Sequence, residues 1–199
     1  PKRLNWYSLL LQSIKLNKIM SISLYKPNTK NTGCAFNFKI GVDKKKEPVI
    51  YAKAIQQYSW DDKTRTGNFS GNASDTDKNI NIKFTEFEIG GILSAFKNRN
   101  EFSSFHSYEE NKTSIKCTPW DKKSKVKTGD KEHWVTLPAF GINFTRNGNQ
   151  AFRIPLEPGE VENVSEFFKF YLNTLYSHRR KIEIEKAKEY NSRKGESSN

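Results

Sequence analysis

Apolar and polar side chains alternate along "CAFNFKIGV" (residues 34–42), which sets Phe36, Phe38 and Ile40 on one side and Asn37 and Lys39 on the other. That period of two predicts a half-buried strand. Further strands are predicted over 49–60, 79–84, 102–108, 113–120, 133–145 and 150–156, with a short one inside "GNFSG" (67–71). Two stretches change to helical spacing. Thr85 followed by Glu88 forms a capping-box signature ahead of Ile89, Ile92, Leu93 and Phe96. "EVENVSEFFKFYLNTLYSHRR" (160–180) predicts a second helix, with glutamates early and basic residues late, as the helix dipole favours. Between the strands, "KKKEP" (44–48) and the lysine-rich "DKKSKVKTGDKE" (121–132) read as solvated turn and loop.

The pattern repeats with an offset of 72 residues. Ile82 corresponds to Ile154, Phe84 to Leu156, Glu88 to Glu160, Ile89 to Val161, Ile92 to Val164 and Phe96 to Phe168. A gapless series of this length predicts a tandem duplication of a ββββα unit and an α+β fold of two antiparallel sheets. The expected organisation is a basic arm over 1–23, a domain over 24–178 with repeats at about 24–98 and 102–178, and a charged tail over 179–199. Gly90 and Gly91 weaken the first helix by about 1 kcal/mol each relative to alanine, so a close packing partner is expected there. The apolar excess of Phe167, Phe168, Phe170, Tyr171 and Leu172 on the second helix calls for an oligomeric partner.

Charge separates the parts of the chain. Residues 1–58 carry +9, residues 59–177 are neutral and residues 178–199 carry +3, within a total of +12; no acid precedes Asp43. A front-loaded excess of this kind points to an anionic partner, nucleic acid first. No apolar run is long enough to span a membrane. Cys34 and Cys117 lack CxxC spacing and read as reduced strand residues, and three histidines without ligand spacing offer no metal site. Three readings of the acid-free segment 1–19 stand side by side: a transit-type leader, an ordered arm, or sequence upstream of a start at Met20. The first would place the protein in a mitochondrion or plastid; otherwise cytoplasm, nucleoid or a virus-infected cell is expected.

Single strands are held by cations on phosphates together with aromatic faces on unstacked bases. Both ingredients lie on the same predicted strands. The candidate binding residues are Lys26, Lys30, Asn31, Thr32, Phe36, Phe38, Lys39, Lys53, Gln57, Tyr58, Trp60, Lys116 and Trp120. For Phe36 and Phe38, which share a face with Ile40, burial beneath a helix is the competing reading. No phosphate-loop, HExxH or GxSxG pattern is present. Asp61–Asp62 and Asp75–Asp77 fall in a Gly/Asn/Ser/Thr-rich loop, where turn chemistry accounts for them. An enzyme is not expected, nor a cofactor.

Several stretches together carry a family resemblance. "TKNTGCAFNF" is similar to a "KGKAALS"-type strand motif, and "QQYSW" to "RQYDW". "FTEFEIGGILSAF", "EFSSFHSYEENKTSIKCTPW" and "FRIPLEPGEVENVSEFFKFYLNTL" follow in matching order. The chain thereby resembles the Whirly family of single-stranded DNA-binding proteins, over roughly residues 24–176. The resemblance implies two roughly orthogonal sheets, helices at a hub, a homotetramer, and binding of single-stranded DNA with little sequence specificity. A structural, scaffolding or RNA-binding role on the same fold is the alternative.

Overall fold

The computed structural model describes residues 20–196. Of the arm assigned to 1–23, only Met20–Ser23 falls within that span.

The first sheet is an antiparallel meander with one excursion. It contains β1 (Ser21–Lys26), β2 (Cys34–Val42), β3 (Pro48–Gln56) and β6 (Asn79–Phe84), in that spatial order. Between β3 and β6 the chain leaves the sheet to form a small hairpin of β4 (Ser59–Asp61) and β5 (Thr66–Asn68). Helix α1 (Glu86–Asn98) follows. The second sheet repeats the meander with β7 (Phe102–Tyr108), β8 (Asn111–Thr128), β9 (Lys131–Arg146) and β10 (Gln150–Leu156), and helix α2 (Pro158–Glu196) closes the order. This is the α+β architecture the residue pattern predicts.

One apolar core joins all four layers. Phe36 lies 4.8 Å from Phe144 across the two sheets, and Phe38 meets Phe168 of α2 edge-on at 5.3 Å. Phe96 of α1 packs on Phe140 at 4.9 Å. All twelve apolar and acidic positions paired by the 72-residue offset take matching places. The ten apolar ones are buried in the core, and Glu88 and Glu160 stand at the starts of the two helices.

Helix α1 starts at Thr85, whose side chain accepts from the Glu88 N–H while Glu88 Oε2 accepts from the Thr85 N–H. The helix ends on Arg99 in the left-handed region, with φ of 52°. The paired glycines have separate explanations. A Cβ on Gly91 would fall 2.2 Å from the Phe102 ring, so the close approach expected there is made within the chain. A Cβ on Gly90 would meet nothing within 4 Å among the described residues.

Several boundaries differ from the pattern-based ones. The strand predicted over 49–60 breaks after Gln56, because the Gln57 side chain is drawn inward by four hydrogen bonds. The segment "SISLYK", for which no strand is predicted, forms β1. The lysine-rich stretch 121–132 is not a loop: apart from its tip it continues β8 and β9 as a paired ribbon. Helix α2 runs 39 residues, about 58 Å at 1.5 Å per residue, and so includes residues 179–196 of the segment assigned to a tail. Since the helix continues well past Arg179, the dipole does not account for that residue. Arg179 instead bonds Glu47 at 3.2 Å and Glu86 at 2.8 Å, tying α2 to the β2–β3 turn and to the start of α1.

Candidate nucleic-acid interface

Strand alternation sends every second side chain of each sheet away from the core. On the first sheet, the register aligns Ser21, Lys39, Tyr51 and Lys83 in one outward row, and Ser23, Asn37, Lys53 and Asn81 in the next. Tyr51 is a third exposed and lies against Gly41, where a Cβ would come within 3.0 Å of its ring. Lys83 is paired with Asp43 at 3.0 Å. Among the described residues Lys39 has no acidic partner, and Lys53 reaches only the Ala73 carbonyl, at 3.4 Å.

An aromatic group borders this face. Tyr25, on β1, hydrogen-bonds Gly67 of the small hairpin and packs on Phe69 with ring centroids 4.9 Å apart. Tyr58 is 59% exposed and rests over Gly71. Trp60 is half-buried and donates from Nε1 to Asp62 Oδ1 at 3.0 Å. Asp61 accepts from the Lys63 and Thr64 N–H groups, which hold its carboxyl below the usual range; this is a turn, as the composition of the segment suggests.

On the second sheet the register aligns Ser103, Lys116, Asn143 and Arg153, with Phe105, Ser114, Thr145 and Ala151 in a neighbouring row. Lys116 and Arg153 are exposed and have no acidic partner among the described residues. Beside them a depression of about 410 Å³ is lined by Thr118, Trp120, Gly141 and Pro155 as well as by Lys116, Asn143 and Arg153. Beyond it β8 and β9 leave the sheet as a two-stranded ribbon, Asp121–Thr128 against Lys131–Pro138. Trp134 is 65% exposed on this ribbon, and Lys125 Nζ sits 5.4 Å from its ring centroid.

The candidate residues therefore divide. Lys39 and Lys53 share the outward face of the first sheet, Lys116 and Trp120 that of the second, Trp60 sits on β4 of the small hairpin, and Tyr58 and Lys30 lie in connecting segments beside the first sheet. Phe36 and Phe38 do not belong to the surface: at 1% and 0% exposure they are core residues, and Ile40 on the same face predicts this. Gln57 is buried as well, bonded to Asn28, Asn31 and Ser59, so its amide is spent within the fold. Asn31 turns the chain with φ of 56°, and Thr32 is bonded to Asn28. Lys26 is committed to Glu160 at 2.6 Å. Missing from the candidate set are Tyr25, Tyr51, Trp134, Asn143 and Arg153. Arg153 alternates with Phe152 and Ile154, the same signal that identifies Lys116.

The two cysteines are free and buried, and burial pushes the Cys117 thiol up to about 12. Among the described residues no cluster of His, Cys, Asp or Glu could hold a metal ion, and no helix is long and apolar enough to cross a membrane.

Solved structures superpose on this arrangement. WHY3 from Arabidopsis thaliana covers 86% of this chain with 96% of its own, at a TM-score of 0.51 and 14% identity. The fold is the Whirly fold. WHY1 from the same plant matches with a TM-score of 0.52 and 15% identity, covering 85% of this chain and 92% of its own. The plant transcriptional regulator PBF-2 matches at 0.50 and 13%, covering 83% and 86%. No protein-family model and no curated protein sequence matches the chain. The likeness is thus one of Whirly architecture carried on a divergent sequence.

Proposed function

We propose that this protein binds single-stranded nucleic acid, DNA foremost, with little sequence preference, and that it protects or organises single strands during replication, repair or transcription without catalysing a reaction. The observation that supports this most directly is the outward face of both sheets. Lys39, Lys53, Lys116 and Arg153 stand there without carboxylate partners among the described residues, interleaved with Tyr51, Asn37, Asn143 and Trp120. A flat, cationic and aromatic surface suits a backbone laid across strands with its bases turned inward. The Whirly fold favours the same reading, since PBF-2 is a plant transcriptional regulator.

The working form in this reading is a homotetramer assembled through the helices. Phe87 is 81% exposed on α1, and Gly90 and Ser94 continue its stripe at helical spacing with open space above Gly90. A partner helix would cover them.

Titration with matched single-stranded DNA, single-stranded RNA and duplex at several salt concentrations tests the function. Tightest binding to single-stranded DNA is expected, weakening with salt by a slope of about −0.7 per phosphate contacted. Equal affinity for duplex would reduce the protein to a basic surface, and tighter binding to RNA would reassign the ligand. Absence of binding to all three would favour scaffolding.

A further inference from the structure

We propose that the depression on the second sheet is a subsite that reads the unpaired edge of one base of a bound single strand. This rests on the single-strand-binding reading and gives it a specific chemistry.

The depression has three distinct sides. Its floor is Thr118, Gly141 and Pro155, aligned across β8, β9 and β10, and among the described residues a Cβ on Gly141 would meet nothing nearer than the Thr118 carbonyl oxygen at 4.0 Å. One wall is Trp120, more than a third exposed. The opposite wall is the row Lys116, Asn143 and Arg153. A volume of about 410 Å³ lies within the roughly 300–1,000 Å³ typical of small-ligand sites and admits one nucleotide unit.

Asn143 supplies the discriminating group. Its Nδ2 donates to Thr145 Oγ1 at 3.2 Å, whereas its Oδ1 is buried and has no hydrogen-bond partner among the described residues. Buried acceptors are normally satisfied, and one that is not marks a place where a donor is missing. Its two neighbours in the row are the unpaired cations Lys116 and Arg153. In this proposal a phosphate held by Lys116 and Arg153 draws those side chains outward, and that movement uncovers the oxygen for a base lying on Gly141. All four bases carry an N–H on the Watson–Crick edge, such as N3–H of thymine or the N4 amine of cytosine, so a lone acceptor takes any of them. In a duplex those donors are engaged with the opposite base. The subsite therefore favours single strands while tolerating every sequence.

Binding of a short oligo(dT) is compared with that of the same oligomer carrying N3-methylthymine at every position, which keeps phosphates and ring faces but lacks the donor. The expected loss for the wild-type protein is roughly 3–10-fold, the range of one net hydrogen bond. In Asn143→Ala the two oligomers should bind alike, and in Gly141→Val, whose side chain fills the floor, the discrimination should also vanish while oligo(dT) itself weakens. Equal binding of both oligomers to wild type overturns the subsite and leaves single-strand binding standing. A methyl penalty that persists in both variants shows steric exclusion elsewhere and overturns it too. If oligo(dT) does not bind at all, the functional reading fails first and the subsite falls with it.

Discussion

Glu88 and Glu160, 72 residues apart, close their helices in the same way. Glu88 Oε2 accepts from the Thr85 N–H at 2.9 Å, and Glu160 Oε2 accepts from the Glu157 N–H at 2.8 Å. In both cases a carboxylate in the first turn reaches back three residues to an N–H with no partner inside the helix. The two differ in what else they hold. Glu160 pairs with Lys26 at the surface, while Glu88 is buried and also accepts from Ser104, with His106 Nε2 2.6 Å away.

This makes Glu88 a pH-dependent tie between α1 and β7. Burial raises its pKa, but the bonds from Ser104, Thr85 and His106 outweigh it and the net direction is downward. A carboxyl whose folded pKa is depressed contributes stability above its unfolded value and loses it as pH falls through the folded value. Glu88→Gln should therefore lower Tm at neutral pH, and the gap to wild type should shrink as pH drops below about 4.5. Thermal unfolding across pH 2.5–7 checks this; a gap constant with pH would mean the carboxylate charge is not what matters.

Core and surface aromatics should respond in opposite ways. Phe38→Ala is expected to cost about 3–5 kcal/mol of stability. Tyr58→Ala should leave stability nearly unchanged and cost roughly 1–3 kcal/mol of single-strand affinity, with the salt slope unaltered. Chemical denaturation and salt-dependent titration separate the two effects.

Lysine substitutions probe the other component of binding. Lys39→Ala or Lys53→Ala should weaken all sequences alike and reduce the salt slope by about 0.7 each. A slope unchanged in both variants would move the phosphate path off the first sheet.

The paired glycines allow a test of assembly. Gly91→Ala should destabilise the folded chain, since its Cβ would strike Phe102. Gly90→Ala has open space and should stabilise an isolated helix by about 1 kcal/mol. If Gly90 lies at a subunit contact, the same change should instead weaken association. Light scattering at micromolar concentration distinguishes the outcomes, and a wild-type monomer there removes the proposed tetramer.

Much of the fold is legible because burial acts on alternate residues. The alternation around Phe36, Ile82 and Ile154, and the Thr85–Glu88 cap, follow from local physics. Less legible is anything set by contacts distant in sequence. Gln57 looks like a polar surface residue at a strand end, yet partners near Asn28 draw it inward. Arg179 looks like a dipole partner until Glu47 and Glu86 converge on it. The outward rows escape inspection for the same reason: Lys116, Asn143 and Arg153 become neighbours only through the register of three strands. On the β8 arm of the ribbon, Lys123, Lys125 and Lys127 at every second position, with Val126 as the one apolar residue, give no alternation to read, whereas Val135 and Leu137 on the β9 arm do.

Those ribbon lysines have a further consequence. Beyond Trp120 on β8 and before Ala139 on β9, each strand pairs among the described residues only with the other, so both outer edges present N–H and C=O groups unpaired by them. Bare edges of this kind recruit further strands and seed aggregation, and charged side chains, lysine above all, are the usual protection. Lys122, Lys123, Lys125, Lys127 and Lys131 guard this ribbon along nearly its whole length. Neutralising them would remove charge from the surface and, in the same step, the barrier that keeps one molecule's ribbon from continuing into the next as a shared sheet.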